Sequence, residues 1–278
     1  MCSLLGTAGA AGAGGVVVNA AMLDLRRDTQ RSPLTFELRR VAPDDLAAAR
    51  TNWRERMVSE HASARVFSAL VGQMMRAGLS AAETRRVAAM AQQELEHGLL
   101  CARVLVALGG EALAPLPRLD EVPSHADASP LEAVLRNVIS VGCCSETVAV
   151  ALVGTERELA GPAAVRRVLD RILADEVKHA RFGWRLVREI APALSAAERE
   201  GIDAYLVDAF AHQVAFHSPF LAMPCASDEG LAIGAPHGRS NWEIFVRTMN
   251  EIVVPGLAHH GFAAARAWRL ARASSSRR

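Results

Sequence analysis

Along most of this chain apolar residues recur every three or four positions, the period of a helix with one buried face, and alternating strand-like runs are scarce. Start and stop signals divide the pattern into helices. A first helix is predicted to begin after Pro43-Asp44 and to run to about Ala77, with Gly78 as its stop. A second opens on Ser80-Ala-Ala-Glu83, a capping-box sequence, and closes at Gly109-Gly110. A Pro-containing connection comes next, Glu111 to Ala128. The third helix starts at Ser129-Pro130, with Glu132 placed to complete another box, and runs to about Leu152. The fourth spans Pro162 to about Ile190. The fifth opens on a third box, Ser195-Ala-Ala-Glu198, and ends near Phe220. Met223 to Arg239 is rich in Gly and Pro and reads as a loop. A sixth helix starts near Ser240 and is expected to break at Pro255. A last short helix comes after Gly261.

Short links join helices 1–2 and 3–4, so each pair should be an antiparallel hairpin; the 2–3 link is long. The fold class expected is all-α: a four-helix bundle with one long crossover, plus additional C-terminal helices. Residues 1–43 then form an N-terminal tail, 44–192 the bundle, and 193–278 helices packing on it, with Trp242 and Phe245 as core residues that dock the sixth.

Composition agrees with a helical core. Of 278 residues 51% are hydrophobic but only 5% aromatic, and Ala dominates. The net charge is +1 with no basic block, which gives no reason to expect nucleic acid. Five Cys, among them the neighbours Cys143 and Cys144, make no secreted disulfide framework, so reduced thiols and a cytoplasmic protein are expected. Met1 to Leu23 is uncharged, yet it is mostly Gly and Ala, and its basic residues, Arg26 and Arg27, come after rather than before it. It reads as a loose tail, and no membrane segment is expected.

Chemistry enters at four places in the helical stripes. The second helix carries Glu94-x-x-His97 and the fourth Glu176-x-x-His179; residues three apart share a face, so each pair can reach one point in a bundle core. Each pair is preceded by a helix with one Glu in its apolar stripe. In the first helix that stripe is Trp53, Met57, Glu60, Ala64, Phe67 and Val71; in the third it is Ile139, Cys143, Glu146, Ala149, Val150 and Val153. Glu55 lies off the stripe and is expected in solvent. Four unpaired carboxylates in a core would cost several kcal/mol each. Two divalent cations would offset them, and oxygen with imidazole suits iron or manganese. A metal-free bundle with buried salt bridges, serving as a scaffold, is the alternative.

The set Glu, Glu-x-x-His, Glu, Glu-x-x-His resembles that of the ferritin-like diiron-carboxylate superfamily, over roughly residues 52 to 189. The resemblance implies two irons, with a Mn/Fe pair as a variant, held by Glu60, Glu94, His97, Glu146, Glu176 and His179. In many relatives the residue before each ligand Glu hydrogen-bonds the His of the opposite pair. Asp175 would then orient His97 and Gln93 would orient His179; where relatives have Asp in both places, Gln93 departs. Bacterioferritins place a haem-binding Met where this chain has Leu95, so no haem is implied. Rubrerythrins add a Glu where this chain has Ala149. The ribonucleotide reductase small subunit has a radical Tyr where this chain has Cys101, which is either a pocket residue or a small core residue. Arylamine N-oxygenases add a His where this chain has Ile172. What remains resembles the six-ligand oxidases and oxygenases, in which an iron pair activates dioxygen to oxidise a small organic substrate with electrons from an external donor. A monomer or homodimer would fit an enzyme, and a large multi-subunit shell a storage protein. A ferroxidase or iron-handling protein is the alternative, weakened by the C-terminal helices that a storage bundle does not need. His212, His217, His259 and His260 have no spacing matched to the core, and Tyr205 reads as a packing residue.

Overall fold

The computed structural model describes residues 21–38, 41–116 and 122–275. In chain order the elements are β1 (Met22–Asp24), α1 (Arg26–Gln30), α2 (Pro43–Arg76), α3 (Ala81–Ala107), β2 (Leu113–Pro115), α4 (Pro130–Val138), a π-helical segment (Ile139–Ser145), α5 (Glu146–Leu159), α6 (Ala163–Ile190), α7 (Ala196–His217), α8 (Asp228–Ala232), α9 (Arg239–Thr248), a second π-helical segment (Met249–Val253), α10 (Val254–His259) and α11 (Ala264–Ser275). Helices α2 and α3 form one hairpin. The continuous α4–π–α5 helix forms the other with α6, and the long crossover joins them. Apart from the short strands β1 and β2, this is the helical, ferritin-like bundle that the pattern predicts, with extra helices at its C-terminal end.

Several helix ends obey their local signals. Pro43 opens α2, and Gly78, at φ +69°, turns the chain out of it. The box at Ser195 is complete: Glu198 N donates to Ser195 Oγ at 3.3 Å and Ser195 N to Glu198 Oε2 at 2.8 Å. The other two boxes form only half. Ser80 and Ser129 accept from the Glu83 and Glu132 amides, at 3.3 and 3.2 Å. The two carboxylates go elsewhere, because a guanidinium is the stronger donor. Glu83 takes Arg185 of α6, at 2.5 and 3.0 Å, and Glu132 takes Arg136, at 2.6 Å.

The third bundle helix runs seven residues past the expected Leu152, to Leu159, and contains the π segment. The Glu146 amide bonds to Val141 O, five residues back rather than four. Pro255 does not break the sixth helix. A second π segment, closed by the bond from Val254 N to Met249 O, precedes it, and Pro255 follows directly in the continuous helix, where the wider π turn accommodates its ring. Part of the expected Met223–Arg239 loop is helical, as α8. Met22–Asp24 pairs antiparallel with Leu113–Pro115, so this part of the chain before Pro43 is tied to the crossover; residues 1–20 of the expected tail lie outside the described residues. The crossover is fastened again where Gln73 and Asn137 both donate to Pro123 O, each at 2.9 Å.

Pro130–Leu159 is the one stretch among the described residues long and apolar enough to cross a membrane by length and composition, but 72% of its apolar window is buried in the bundle. It also carries Glu146, as a core helix can. The C-terminal helices pack on the α4–α5 side: α11 lies on α7 and α9 on α5. Their seam is aromatic, with Phe210 and Phe245 edge-on to Trp268 at 5.8 and 6.0 Å and His217 stacked on Phe245 at 4.3 Å. Trp242 is half-buried against Phe245.

The core divides into two apolar clusters. One holds Trp53, Met57, Cys101, Leu169 and Ile172; the other holds Phe67, Met74, Met90, Phe182 and the C-terminal seam. On α2, α3 and α6 the chain passes from one cluster to the other through a Glu or a Glu-x-x-His. The polar groups thus form a single layer with dry packing above and below.

Candidate metal centre

Glu60, Glu94, His97, Glu146, Glu176 and His179 all lie in that layer, none more than 1% exposed. The three-residue spacing puts Glu94 with His97, and Glu176 with His179, on the inner faces of α3 and α6. Glu60 comes from α2, and Glu146 from the first residue after the π turn. Side-chain atoms of Glu60, Glu94, His97 and Glu176 lie within 4.8 Å of one another, and so do those of Glu94, Glu146, Glu176 and His179. The structure therefore brings all six together as two adjacent groups that share Glu94 and Glu176, and each group could hold a metal ion.

The imidazoles are held from behind. His97 Nε2 is 3.4 Å from Asp175 Oδ2, and His179 Nε2 is 2.9 Å from Gln93 Oε1. Gln93 Nε2 in turn donates to Asp175 Oδ1 at 3.2 Å. With Nε2 turned outward as the donor, each ring presents its Nδ1 lone pair to the carboxylates. His179 Nδ1 is 2.9 Å from Glu94 Oε1, and His97 Nδ1 is 3.4 Å from Glu176 Oε1. Phe67 packs edge-on against His179 at 5.5 Å.

A divalent pair fits these residues on their own chemistry. Eight buried atoms of the six side chains have no hydrogen-bond partner: Glu60 Oε2, both oxygens of Glu94 and Glu146, Glu176 Oε2, and the two Nδ1 atoms. Buried polar atoms are almost always partnered, so eight such atoms converging on one layer suit a site that could hold a cation. Carboxylate oxygen with imidazole nitrogen is the donor set of iron, manganese and zinc.

The electrostatics agree. Burial, with the charge of Glu176 added, raises the Glu94 and Glu146 carboxyls well above the ordinary range. For Glu176 burial works the same way, but the adjacent Glu146 carboxyl and the His179 and His97 rings outweigh it and hold this carboxyl well below that range. Burial opposes a charged His97 or His179, yet the Glu176 carboxylate wins and raises both rings. Asp175 stays ionised despite its burial, because Lys178 lies 2.9 Å away, His97 hydrogen-bonds it, and Arg171 lies 2.7 Å away.

Two features had no signal in the pattern of apolar positions. The π turn sets the direction of Glu146, since one extra residue in a helical turn rotates every later side chain by roughly 100° about the helix axis. The turn also seats Gly142 against Gly183: a Cβ on Gly142 would lie 2.9 Å from Gly183 Cα. The two glycines let the α4–α5 helix and α6 approach closely beside Glu146 and His179, and only the pairing of two distant glycines could have revealed it.

Of the other candidates, Cys101 is fully buried beside Arg56, and Glu55 is exposed. Tyr205 packs on His125 at 5.1 Å, and His212, His217, His259 and His260 are in neither group of the metal centre. No protein-family model matches the chain, and no curated protein does. Among solved structures, the fold resembles that of protein 19 with aldehyde deformylating oxidase activity from Synechococcus, at a TM-score of 0.55 and 17% identity, over 81% of this chain and 96% of that one. At that identity the likeness is one of fold, a helical bundle shared over nearly the whole of the other chain.

Proposed function

We propose that this protein is a non-haem diiron oxidase or oxygenase that uses dioxygen to oxidise a small organic molecule. The observation that carries this is the layer of eight orphaned buried atoms, which is costly to fold around except as a cation site. The likeness in fold to a protein with aldehyde deformylating oxidase activity supports it. Glu94 and Glu176, members of both groups, would help to hold both ions, Glu60 and His97 would hold one, and Glu146 and His179 the other. When bound, a ferrous pair supplies the electrons and Lewis acidity that dioxygen activation requires. The chain supplies the rest. Gln93 Oε1 and Asp175 Oδ2 accept from the imidazoles and hold the rings still. The two apolar clusters exclude water from either side of the layer. An external donor returns the electrons. We take the protein to be cytoplasmic and monomeric or homodimeric.

The test is anaerobic loading with ferrous iron, then dioxygen, tracking the iron. Oxidation should stop near two irons per chain and resume only with reductant and substrate. Continued oxidation into a mineral core would make the protein a ferroxidase, and failure to retain any metal would leave a scaffold bundle.

A further inference from the structure

A cleft of about 300 Å³ opens between α2 and the turn after α7. Phe216, Pro219, Phe220 and Met223 give it an apolar wall, and its two buried members are polar: Arg56, 1% exposed, and Ser59, 6% exposed. Both sit on α2, Arg56 one helical turn before Glu60 and Ser59 immediately before it. The Arg56 guanidinium is placed by two contacts. Nη1 is bound to Glu156 of α5, and the Trp53 ring lies 5.0 Å away. The remaining edge of the fork, Nε with Nη2, has no hydrogen-bond partner, and neither has Ser59 Oγ. The Cys101 thiol beside the guanidinium is at best a weak acceptor.

Arg56 and Ser59 line the cleft beside Asn52 and Glu55, and their three unmet buried donors call for an oxygen ligand. The free edge of the guanidinium matches the two oxygens of a carboxylate. We propose that this cleft binds a small amphipathic carboxylate, its head on Arg56 Nε and Nη2 and on Ser59 Oγ, its body between Phe216, Phe220 and Met223. That this molecule is the substrate rests on the oxidase proposal; that it binds does not. Glu156 occupies only Nη1 and is 18% exposed, so it orients the fork while part of its own charge is solvated. Glu55, also on the cleft, is exposed overall, and partial burial raises its carboxyl, which lessens its repulsion of an anion. Arg56 is four residues from Glu60 on α2, about 6 Å along the helix axis, which would put the head at the end of the molecule nearer the metal layer.

The experiment is calorimetric titration of the metal-free and iron-loaded full chain with octanoate, octan-1-ol and methyl octanoate. Octanoate should bind at least about tenfold more tightly than either neutral analogue. Arg56→Lys, which keeps the charge but loses the fork, should weaken octanoate about tenfold, and Ser59→Ala by a few-fold, with neither changing the affinity for octan-1-ol comparably. Equal binding of the neutral analogues, or octanoate binding unchanged in Ser59→Ala and in Arg56→Lys, would overturn the proposal. If Arg56→Lys does not fold, Ser59→Ala and the analogue comparison decide. Iron content and iron oxidation are measured on the same samples. A protein that loads two irons but ignores octanoate sinks this proposal alone, and one that binds octanoate but no iron sinks the oxidase reading alone.

Discussion

The outward nitrogen of His179 lies 2.9 Å from the side-chain oxygen of Gln93, an acceptor on the opposite hairpin. A neutral amide here does what a carboxylate does for His97: it accepts from Nε2 and turns Nδ1 inward. Removing it should free the ring to rotate. Gln93→Ala is expected to weaken metal retention by roughly ten- to a hundredfold without unfolding the chain, and Asp175→Ala should do the same through His97. Competition with a chromogenic chelator reads this directly, and retention unchanged in both variants would remove these residues from the site.

The sharing of Glu94 and Glu176 between two groups predicts stoichiometries. Glu60→Ala or Glu146→Ala should each lower the metal content from about two to about one per chain, since each belongs to one group. Glu94→Ala should lose both ions. Elemental analysis after dialysis against ferrous or manganous salt distinguishes these outcomes. A Glu94→Ala protein that kept a full complement would contradict the arrangement.

Metal should also stabilise the fold. An ion that binds only the native chain adds about 2.7 kcal/mol at a hundredfold excess over its dissociation constant. Chelation should therefore lower the thermal midpoint, and anaerobic ferrous or manganous ion should restore it in the native protein but not in Glu94→Ala.

Gly183 has no room for a methyl group. A Cβ there would lie 2.7 Å from the carbonyl carbon of Gly142, so the two helices would have to part. Gly183→Ala should destabilise by roughly 1–3 kcal/mol and reduce metal content, because Glu146 and His179 flank the contact. Gly154→Ala is the control: a Cβ there meets nothing within 4 Å, and the change should be neutral or slightly stabilising. Chemical denaturation of the two variants side by side makes the comparison.

His217 predicts acid sensitivity away from the metals. Burial pushes its imidazole down to about 3. In the unfolded chain the ring titrates near 6.5, so below that pH the unfolded state binds a proton that the native state refuses. Its contribution to stability is intact above about 6.5 and is lost as pH falls from there towards 3, at up to about 1.4 kcal/mol per pH unit. His217→Phe should show a shallower loss than the native chain in urea titrations across that range, carried out on metal-free protein. Parallel curves would refute the assignment.

The helices and the Glu-x-x-His pairs were legible along the chain because both depend on neighbours within one or two turns. A residue three positions from another shares its face whatever the rest of the molecule does, and Pro43 or Gly78 acts on its own backbone. The same locality explains why the Ser195 box formed as its sequence implies. Where long-range partners compete, local signals failed. Glu83 left its cap for Arg185, a hundred and two residues away. Pro255 stayed inside a helix because a π turn accommodates it. Met22–Asp24 became a strand only because Leu113–Pro115 offered unpaired backbone groups. The π turn before Glu146 and the seating of Gly142 on Gly183 belong to the crossing of two helices, and no periodicity in either helix encodes a crossing. Arg56 is the sharpest case. A lone Arg on a helix reads as solvated, yet Trp53, Glu156 and the packing of three helices bury it, because only in the assembled core is there a carboxylate to meet its charge.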